Sequence, residues 1–420
     1  MVDPRKRPER ATFPLDYLLL LGLLMLGGQC GSRRQLGREL TGSRLSANVW
    51  KLAGKTCEVV CHTDTMNQVM EGLDPAGIER LIVLMAGRLR ERKMLRRFLL
   101  DGNLVVAMDG VQVMRVGHPT GSGWLTQTKD GKTTYSHYVL AAKIITACGL
   151  VVPFAFEFIE NPMELAEFDK QDCELKASRR LIEKIHRLYP RLKIALVGDG
   201  LFAEEETFRR CEELGWDFLI TLKDKKLPTV TAQLPAGDGM WSGTRTVFAA
   251  IKGQAEKGTH RVCWKTPVTY HRETYHVIDL TEATAGGVVT YHNTWITNLK
   301  PNQKNALSLA LHGRLRWKIE NEGFNTQKNG GYEMEHGYGL GGNAWKNYYL
   351  LLQVAQLLNN LVSLTDLLAT LADDVRGTFA RLYGTMRNYA KRLIESLRAR
   401  LLDDAPLWNG RKVQVRFADG

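Results

Sequence analysis

Two short apolar runs in this sequence end the same way. Residues 104–110 read LVVAMDG and residues 193–200 read KIALVGDG, each an aliphatic, largely β-branched stretch closing on Asp-Gly. Short continuous apolar runs bounded by turn residues fit strands buried on both faces, and such strands need helices above and below them. YSHYVLAAKIIT (135–146), LVVPFAFEFI (150–159) and WDFLITLKD (216–224) are runs of the same kind. Between them, residues 170–188 and EEETFRRCEELG (204–215) carry apolar side chains at helical spacing, the second closing on Gly215. Strands alternating with helices predict an α/β core that begins near residue 101.

The flanks read differently. YLLLLGLLML (17–26) is too short to cross a bilayer, which takes about 20 apolar residues. Asp3, Glu9 and Asp16 near it, and Gln29 before Cys30, speak against a targeting segment, while Pro14 suits a first helical turn; a buried helix is expected. Ser32 should cap RRQLGRELTG, and Asp74-Pro75 should open a long helix with Ile78, Leu81, Ile82, Met85 and Leu89 on one face. Beyond residue 224 the chain turns rich in Thr, Val, Tyr and His. RVCWKTPVTY, ETYHVIDLT and GVVTYHNTWITNL read as antiparallel strands, with turn clusters at 237–239 and 286–287. From Gln303 helical spacing returns, and LLLQVAQLLNNLVSLTDLLATL reads as a core helix. The expected division is a helical N-terminal region (1–100), an α/β core (101–224 and 298–345), a β-rich insertion (225–297) and a helical C-terminal region (346–420).

Hydrophobic residues make up 44% and charged residues 24%, which excludes a mainly disordered chain, a collagen and a coiled-coil rod. Lys and Arg number 57 against 45 acids, a net +12 that favours a polyanionic partner. The surplus is clustered: residues 88–97 hold six basic side chains and one acid, and residues 376–400 seven and one. Arg92, Lys93, Arg96 and Arg97 in the first cluster are candidate phosphate contacts. The seven cysteines are odd in number and scattered, against a disulfide framework. Cys57 and Cys61-His62 lack a second pair for zinc. Gly54-Lys55-Thr56 and Gly131-Lys132-Thr133 lack the earlier glycine of a phosphate-binding loop.

Three acids stand out by place. Asp109 and Asp199 end core strands, where a sheet exposes ligand-binding groups, and Glu320 lies in the helical segment GRLRWKIENEGFNTQK. Moving a phosphodiester needs in-line alignment and charge neutralisation more than covalent help. Two divalent ions about 3.5–4 Å apart supply both, and hard cations such as Mg²⁺ take a few carboxylates each. Two strand-end acids and one helical acid could hold such a pair. Helical spacing places Arg316, Gly323, Phe324 and Gln327 on the side of Glu320 and turns Glu322 about 200° away. Arg316 would either pair with Glu320 or hold a phosphate.

The segments VVAMDG, KQDCE (170–174), ALVGDG and RWKIENEGFNTQKNGGYEMEHGYG, in this order, resemble bacterial insertion-sequence transposases of the DDE type. The resemblance implies an α/β fold with a ribonuclease-H-like core, a mixed sheet with flanking helices, interrupted by a β-rich insertion before the catalytic glutamate. Carried over position by position, Asp109, Asp199 and Glu320 match the catalytic, metal-binding acids. Arg316 matches the arginine of the family's Tyr-Arg-Glu-Lys signature. The signature tyrosine position is Gly313 and the lysine position is Gln327, with Lys328 one residue late. Trp295, in the strand before the helix, stands where some relatives receive a flipped base, and it also reads as a buried core tryptophan. The implied activity is metal-dependent cleavage at transposon ends and strand transfer into target DNA. Two Mg²⁺ ions, or Mn²⁺ in their place, would be bridged by Asp109 and completed by Asp199 and Glu320. The implied partners are the terminal inverted repeats and target DNA, bound as double-stranded DNA by a homodimer, without a membrane and in the bacterial cytoplasm at the nucleoid. A catalytically silent, domesticated DNA-binding protein and a general nuclease of the same fold are the alternatives.

Overall fold

The computed structural model describes residues 1–119, 123–161, 172–223, 226–235, 240–250, 256–372, 378–403 and 415–417. The expected turn at 237–239 and the start of the helical stretch at 170–188 lie outside them. The apolar runs form strands of one sheet: β1 (Leu104–Val116), β2 (Leu125–Lys129), β3 (Lys132–Ile145), β4 (Val151–Ile159), β5 (Ile194–Gly198), β6 (Asp217–Thr221), β7 (Gly243–Ala250), β8 (Lys257–Tyr270), β9 (Glu273–Ala283) and β10 (Val289–Thr297). Their order across the sheet is β2-β3-β1-β5-β6-β10-β9-β8-β7, with β4 also on β3. β1, β3 and β4 are antiparallel, and β1, β5 and β6 run parallel. This mixed α/β arrangement is the ribonuclease-H-like fold. The β-rich segment was expected as an insertion, and its strands continue the core sheet: β10 pairs antiparallel with β6 through Trp295↔Thr221 and Thr297↔Leu219. That pairing covers an edge of β6 that would otherwise present bare backbone donors and acceptors.

The helices are α1 (Leu15–Gly27), α2 (Arg33–Leu40), α3 (Leu45–Leu52), α4 (Thr63–Gly72), α5 (Pro75–Glu91), α6 (Glu174–Leu188), α7 (Glu205–Glu213), α8 (Pro228–Thr231), α9 (Ala306–Arg314), α10 (Thr326–Asn329), α11 (Ala344–Leu364), α12 (Leu367–Ala372), α13 (Phe379–Tyr383) and α14 (Met386–Ala399). Side-chain alternation along β1 builds two cores. Val105, Ala107, Val111 and Val113 face one way, with Ala195, Val197 and Leu219, toward α1, α4, α9 and α11. Val106 and Met108 face the other, with Ile194, Leu196 and Phe218, toward α6 and α7. α1 is the expected buried helix: Tyr17, Leu18, Leu21, Met25 and Leu26 are buried. Among the described residues no helix is long and apolar enough to cross a membrane. Ser32 caps α2 by accepting from Gln35 N at 3.1 Å, and Asp74 caps α5 by accepting from Ala76 N at 3.0 Å. The C-terminal α14 docks back on the N-terminal helices, where the Asn48 amide donates to the carbonyls of Leu397 and Arg400.

The segment around Glu320 departs from the continuous α-helix that its spacing predicts. α9 ends at Arg314, a turn follows, and Ile319–Asn325 forms a π-helix before α10. The wider winding changes the faces: Gly323, Phe324 and Gln327 turn into the core, and the Glu320 side chain stays 54% exposed. Single π turns inside helices recur at functional sites.

Candidate active site

Sheet register decides where the first two acids stand. β1 and β5 run parallel, and their last pair is Met108↔Gly198. Asp109 and Asp199 are each the next residue, so they leave adjacent strands side by side where β5 stops. Asp199 caps the 3-10 turn Gly200–Phe202 by accepting from Leu201 N at 2.8 Å. Gly110 N donates to Asp109 Oδ1 at 2.9 Å. The π-helix rises beside them on the α11 face and brings Glu320 to the same rim. Arg316 ties the group together: Nη1 lies 3.1 Å from Asp109 Oδ2, and Nη2 lies 4.0 Å from Glu320 Oε2. Of the two roles expected for Arg316, pairing with Glu320 or holding a phosphate, the first is met only by the 4.0 Å approach, and the shorter contact is with Asp109.

The electrostatics fit a shared site. Burial pushes the Asp109 carboxyl up to about 6; the Arg316 guanidinium pulls it down, and Asp199 and Glu320 raise it further. Asp199 carries its own cation, with Lys223 Nζ 2.8 Å from Oδ2. The Lys223 stem lies flat on the backbone at Gly200, where a Cβ would sit 2.7 Å from Lys223 Cγ. A side chain after Asp199 would therefore displace Lys223 from its place beside the acid. A fourth carboxylate, Glu174 at the first residue of α6, approaches from the other face of the sheet. Burial and the charges of Asp109 and Asp199 raise its carboxyl.

The remaining expected site residues scatter. Trp295 is 1% exposed, its ring packed against Gly313, so it offers no face to a base. Its neighbour Gly313, in the signature tyrosine position, could not carry a side chain: a Cβ there would lie 2.8 Å from the indole. Gln327 is fully buried and donates to Gln353 and Gln356, and Lys328 pairs with Glu335 at 2.8 Å. Arg92, Lys93, Arg96 and Arg97 line a cleft of about 620 Å³ with residues 415–417, away from the acids. At the rim itself the exposed aromatic is Trp317, 48% exposed beside Arg316. Glu174, Lys223 and Trp317 were not singled out from sequence. A first-turn acid, a strand-end lysine and a helical tryptophan each read as ordinary in isolation.

Residues 162–324 match the family model described as the transposase DDE domain. Over these residues the chain is similar to the DDE domain of transposases. No curated protein matches it. The matched stretch contains Glu174, Asp199 and Glu320, and Asp109 lies before it on the adjoining strand. Transposases of this type use divalent metal ions and act on DNA. Among the described residues of this chain, no three His, Cys, Asp or Glu side chains are drawn close enough to hold an ion as they lie. Arg316 and Lys223 are seated on the two strand-end acids and neutralise them instead. The donor chemistry nevertheless fits: hard carboxylate oxygens come from separate elements to one rim, and the charges of Asp199 and Glu320 add to burial in raising the Asp109 carboxyl.

Proposed function

We propose that this chain acts as a transposase that cleaves DNA strands at the ends of its element and joins the freed 3′-hydroxyl to target DNA, with Asp109, Asp199 and Glu320 as its catalytic carboxylates. The observation that carries this reading is the register that sets Asp109 beside Asp199, with Arg316 linking Asp109 to Glu320 across the rim. The carboxylates would hold two Mg²⁺ ions, or Mn²⁺, which when bound neutralise the phosphodiester and activate the attacking oxygen. Asp109, whose carboxyl feels the charges of both Asp199 and Glu320, would hold these ions together with those two acids.

The chain's own residues supply the rest. The sheet fixes the two aspartates on rigid strand ends, which limits how far the reacting phosphate can wander. Arg316 and Lys223 are the cations at the rim, positioned to meet strand phosphates. The exposed Glu320 sits on a helix whose core side is locked by Ile319 and Phe324, so its carboxylate is held without being buried. The terminal inverted repeats and the target duplex are the proposed substrates. A homodimer on DNA would bring two ends together, at the nucleoid in the bacterial cytoplasm.

The test is nicking of duplex DNA carrying the element's ends. Wild type is expected to cut in Mg²⁺ and not in EDTA, and Asp109→Asn to lose activity by at least about a hundredfold, the scale for removing a main electrostatic contributor. Cutting that persists in Asp109→Asn would overturn the assignment. Equal cutting of DNA lacking the ends would turn the reading toward a general nuclease.

A further inference from the structure

The N-terminal helices are tied to the segment that follows the π-helix at two points. Gln29, in the turn before α2, donates from Nε2 to Gly330 O at 2.8 Å. Arg33, the first residue of α2, donates from Nε to Tyr338 O at 2.6 Å and sets Nη1 2.6 Å from Asp64 Oδ1. Between these ties a cleft of about 850 Å³ opens, walled by α2, by residues 60–64 at the start of α4, and by His336-Gly337. One face of α2 lines it from end to end, with Arg34 and Arg38 about one turn apart. Both are exposed, and neither forms an ion pair among the described residues. Asp64 is the acid of the lining, and Arg33 neutralises it. The cleft is left with a positive surplus.

Gly37 stands between the two arginines on the same face. An interior glycine destabilises a helix relative to alanine. Packing does not call for one here: an added Cβ would meet Thr63 Cγ2 at 3.8 Å, an ordinary contact. A longer side chain would instead enter the cleft. The bare backbone at this point lets a ligand lie against the helix between two guanidinium groups.

We propose that this cleft binds the phosphate backbone of duplex DNA, with Arg34 and Arg38 pairing to neighbouring phosphates and Gly37 leaving room for the strand between them. Guanidinium groups match phosphate oxygens in a bidentate fork. Side chains four residues apart on a helix start about 5–6 Å from one another, a spacing that two successive phosphates of one strand can meet. The N-terminal ends of α2 and α4 open on the cleft, and their dipoles favour the same charge. The wall at 336–337 belongs to the segment that leaves α10, where Met334 N donates to Gln327 O at 3.0 Å, so a strand held here is coupled to the helical segment that carries Glu320. That coupling favours a nucleic acid over a free phosphate. The proposal rests on the reading that the chain acts on DNA, and not on which carboxylates do so. The rival account is a solvated helix face whose arginines meet only water.

The two accounts part in one set of variants. Binding of a labelled duplex to the full-length protein is followed by fluorescence anisotropy in EDTA over a range of salt, and each protein is also melted. The double variant Arg34→Gln, Arg38→Gln is expected to keep the wild-type melting temperature and to lower the slope of log affinity against log salt by about 2. Gly37→Gln is expected to raise the melting temperature, because glutamine is the better helix former, and to weaken duplex binding by about tenfold or more. A raised melting temperature with unchanged binding in Gly37→Gln, or a wild-type slope in the double variant, would establish the solvated face and overturn the proposal. Tripolyphosphate, titrated calorimetrically, is the small-anion probe. Its loss in the double variant while the duplex slope stays at the wild-type value would assign the cleft to a free phosphate and overturn the proposal too. If wild type binds no duplex, the DNA reading fails and the proposal with it. If wild type binds and both variants bind equally well, only the cleft fails.

Discussion

Lys143 lies near the end of β3, 1% exposed, with Nζ 4.8 Å from the centroid of the Phe324 ring and without a hydrogen-bond partner among the described residues. It supports the π-helix from below at the cost of burying an ammonium group. Burial pushes its pKa down from 10.5 to about 7. The sign follows from proton counting. Between these two values the unfolded chain holds a proton that the folded one lacks, so stability rises with pH across the interval and is lowest below 7. Lys143→Met is expected to raise stability near pH 6 by on the order of 1–3 kcal/mol and to flatten the rise between about pH 7 and 8.5. Urea unfolding at a series of pH values checks both. A variant no more stable than wild type at pH 6 would mean that the ammonium group is satisfied. Gly313 constrains the fold in the opposite way, through a missing atom. Gly313→Ala would push its Cβ to 2.8 Å from the indole of Trp295, which β10 and the core hold in place. The expected loss is about 1–3 kcal/mol, read as a lowered melting midpoint. The same crowding explains why the signature tyrosine is absent.

Among the elements, the turn and π-helix from 315 to 325 concentrate the chemistry. Arg316 and Glu320 face the acids, Ile319 and Phe324 anchor the core side, and Trp317 is left half exposed between them. In the proposed site, an exposed indole beside an arginine would offer a stacking platform for an unpaired base. Trp317→Ala is expected to weaken binding of end DNA with a few unpaired terminal bases by about tenfold, and of fully paired ends by less. Equal affinities of variant and wild type in a gel-shift titration would remove that role. The elements themselves were largely legible, because apolar strand runs and capped helices such as Ser32–Gln35 leave local marks. The acids at 109 and 199 were legible because each closes such a run. The π-helix was not, since one extra residue per turn leaves no mark in composition, and helical spacing therefore placed Gly323, Phe324 and Gln327 on the wrong face. Glu174, Lys223 and the Arg316–Asp109 contact were hidden for another reason: each depends on a partner 24 or more positions away, and only register and packing bring them together.

Across the whole molecule, the net charge of +12 is unevenly available. Within the C-terminal basic cluster, Arg398 pairs with Glu39 at 2.9 Å and Lys391 lies 3.8 Å from Glu395, so part of that charge is neutralised at home. In the 88–97 cluster Arg88 pairs with Glu91, but Arg92, Lys93 and Arg96 are exposed and form no ion pair among the described residues. This cluster precedes the start of β1, and Asp109 is five residues further along the strand, roughly 16 Å at 3.3 Å per residue. A phosphate in that cleft therefore belongs to a different part of the duplex from the one at the acids. Its contribution should be sequence-independent and strongly sensitive to salt. Each phosphate neutralised adds about 0.9 to the slope of log affinity against log salt on duplex DNA. The triple variant Arg92→Ala, Lys93→Ala, Arg96→Ala is expected to lower that slope by about 2–3, equally for end DNA and for unrelated duplex. Mn²⁺ binding at the acids should be unchanged, because the cleft adjoins the start of β1 and Asp109 lies in the middle of that strand. Fluorescence anisotropy over about 50–200 mM salt measures the slope. A slope equal to that of wild type would show that the cleft faces away from the nucleic acid, and the surplus charge would then have to act through other surfaces.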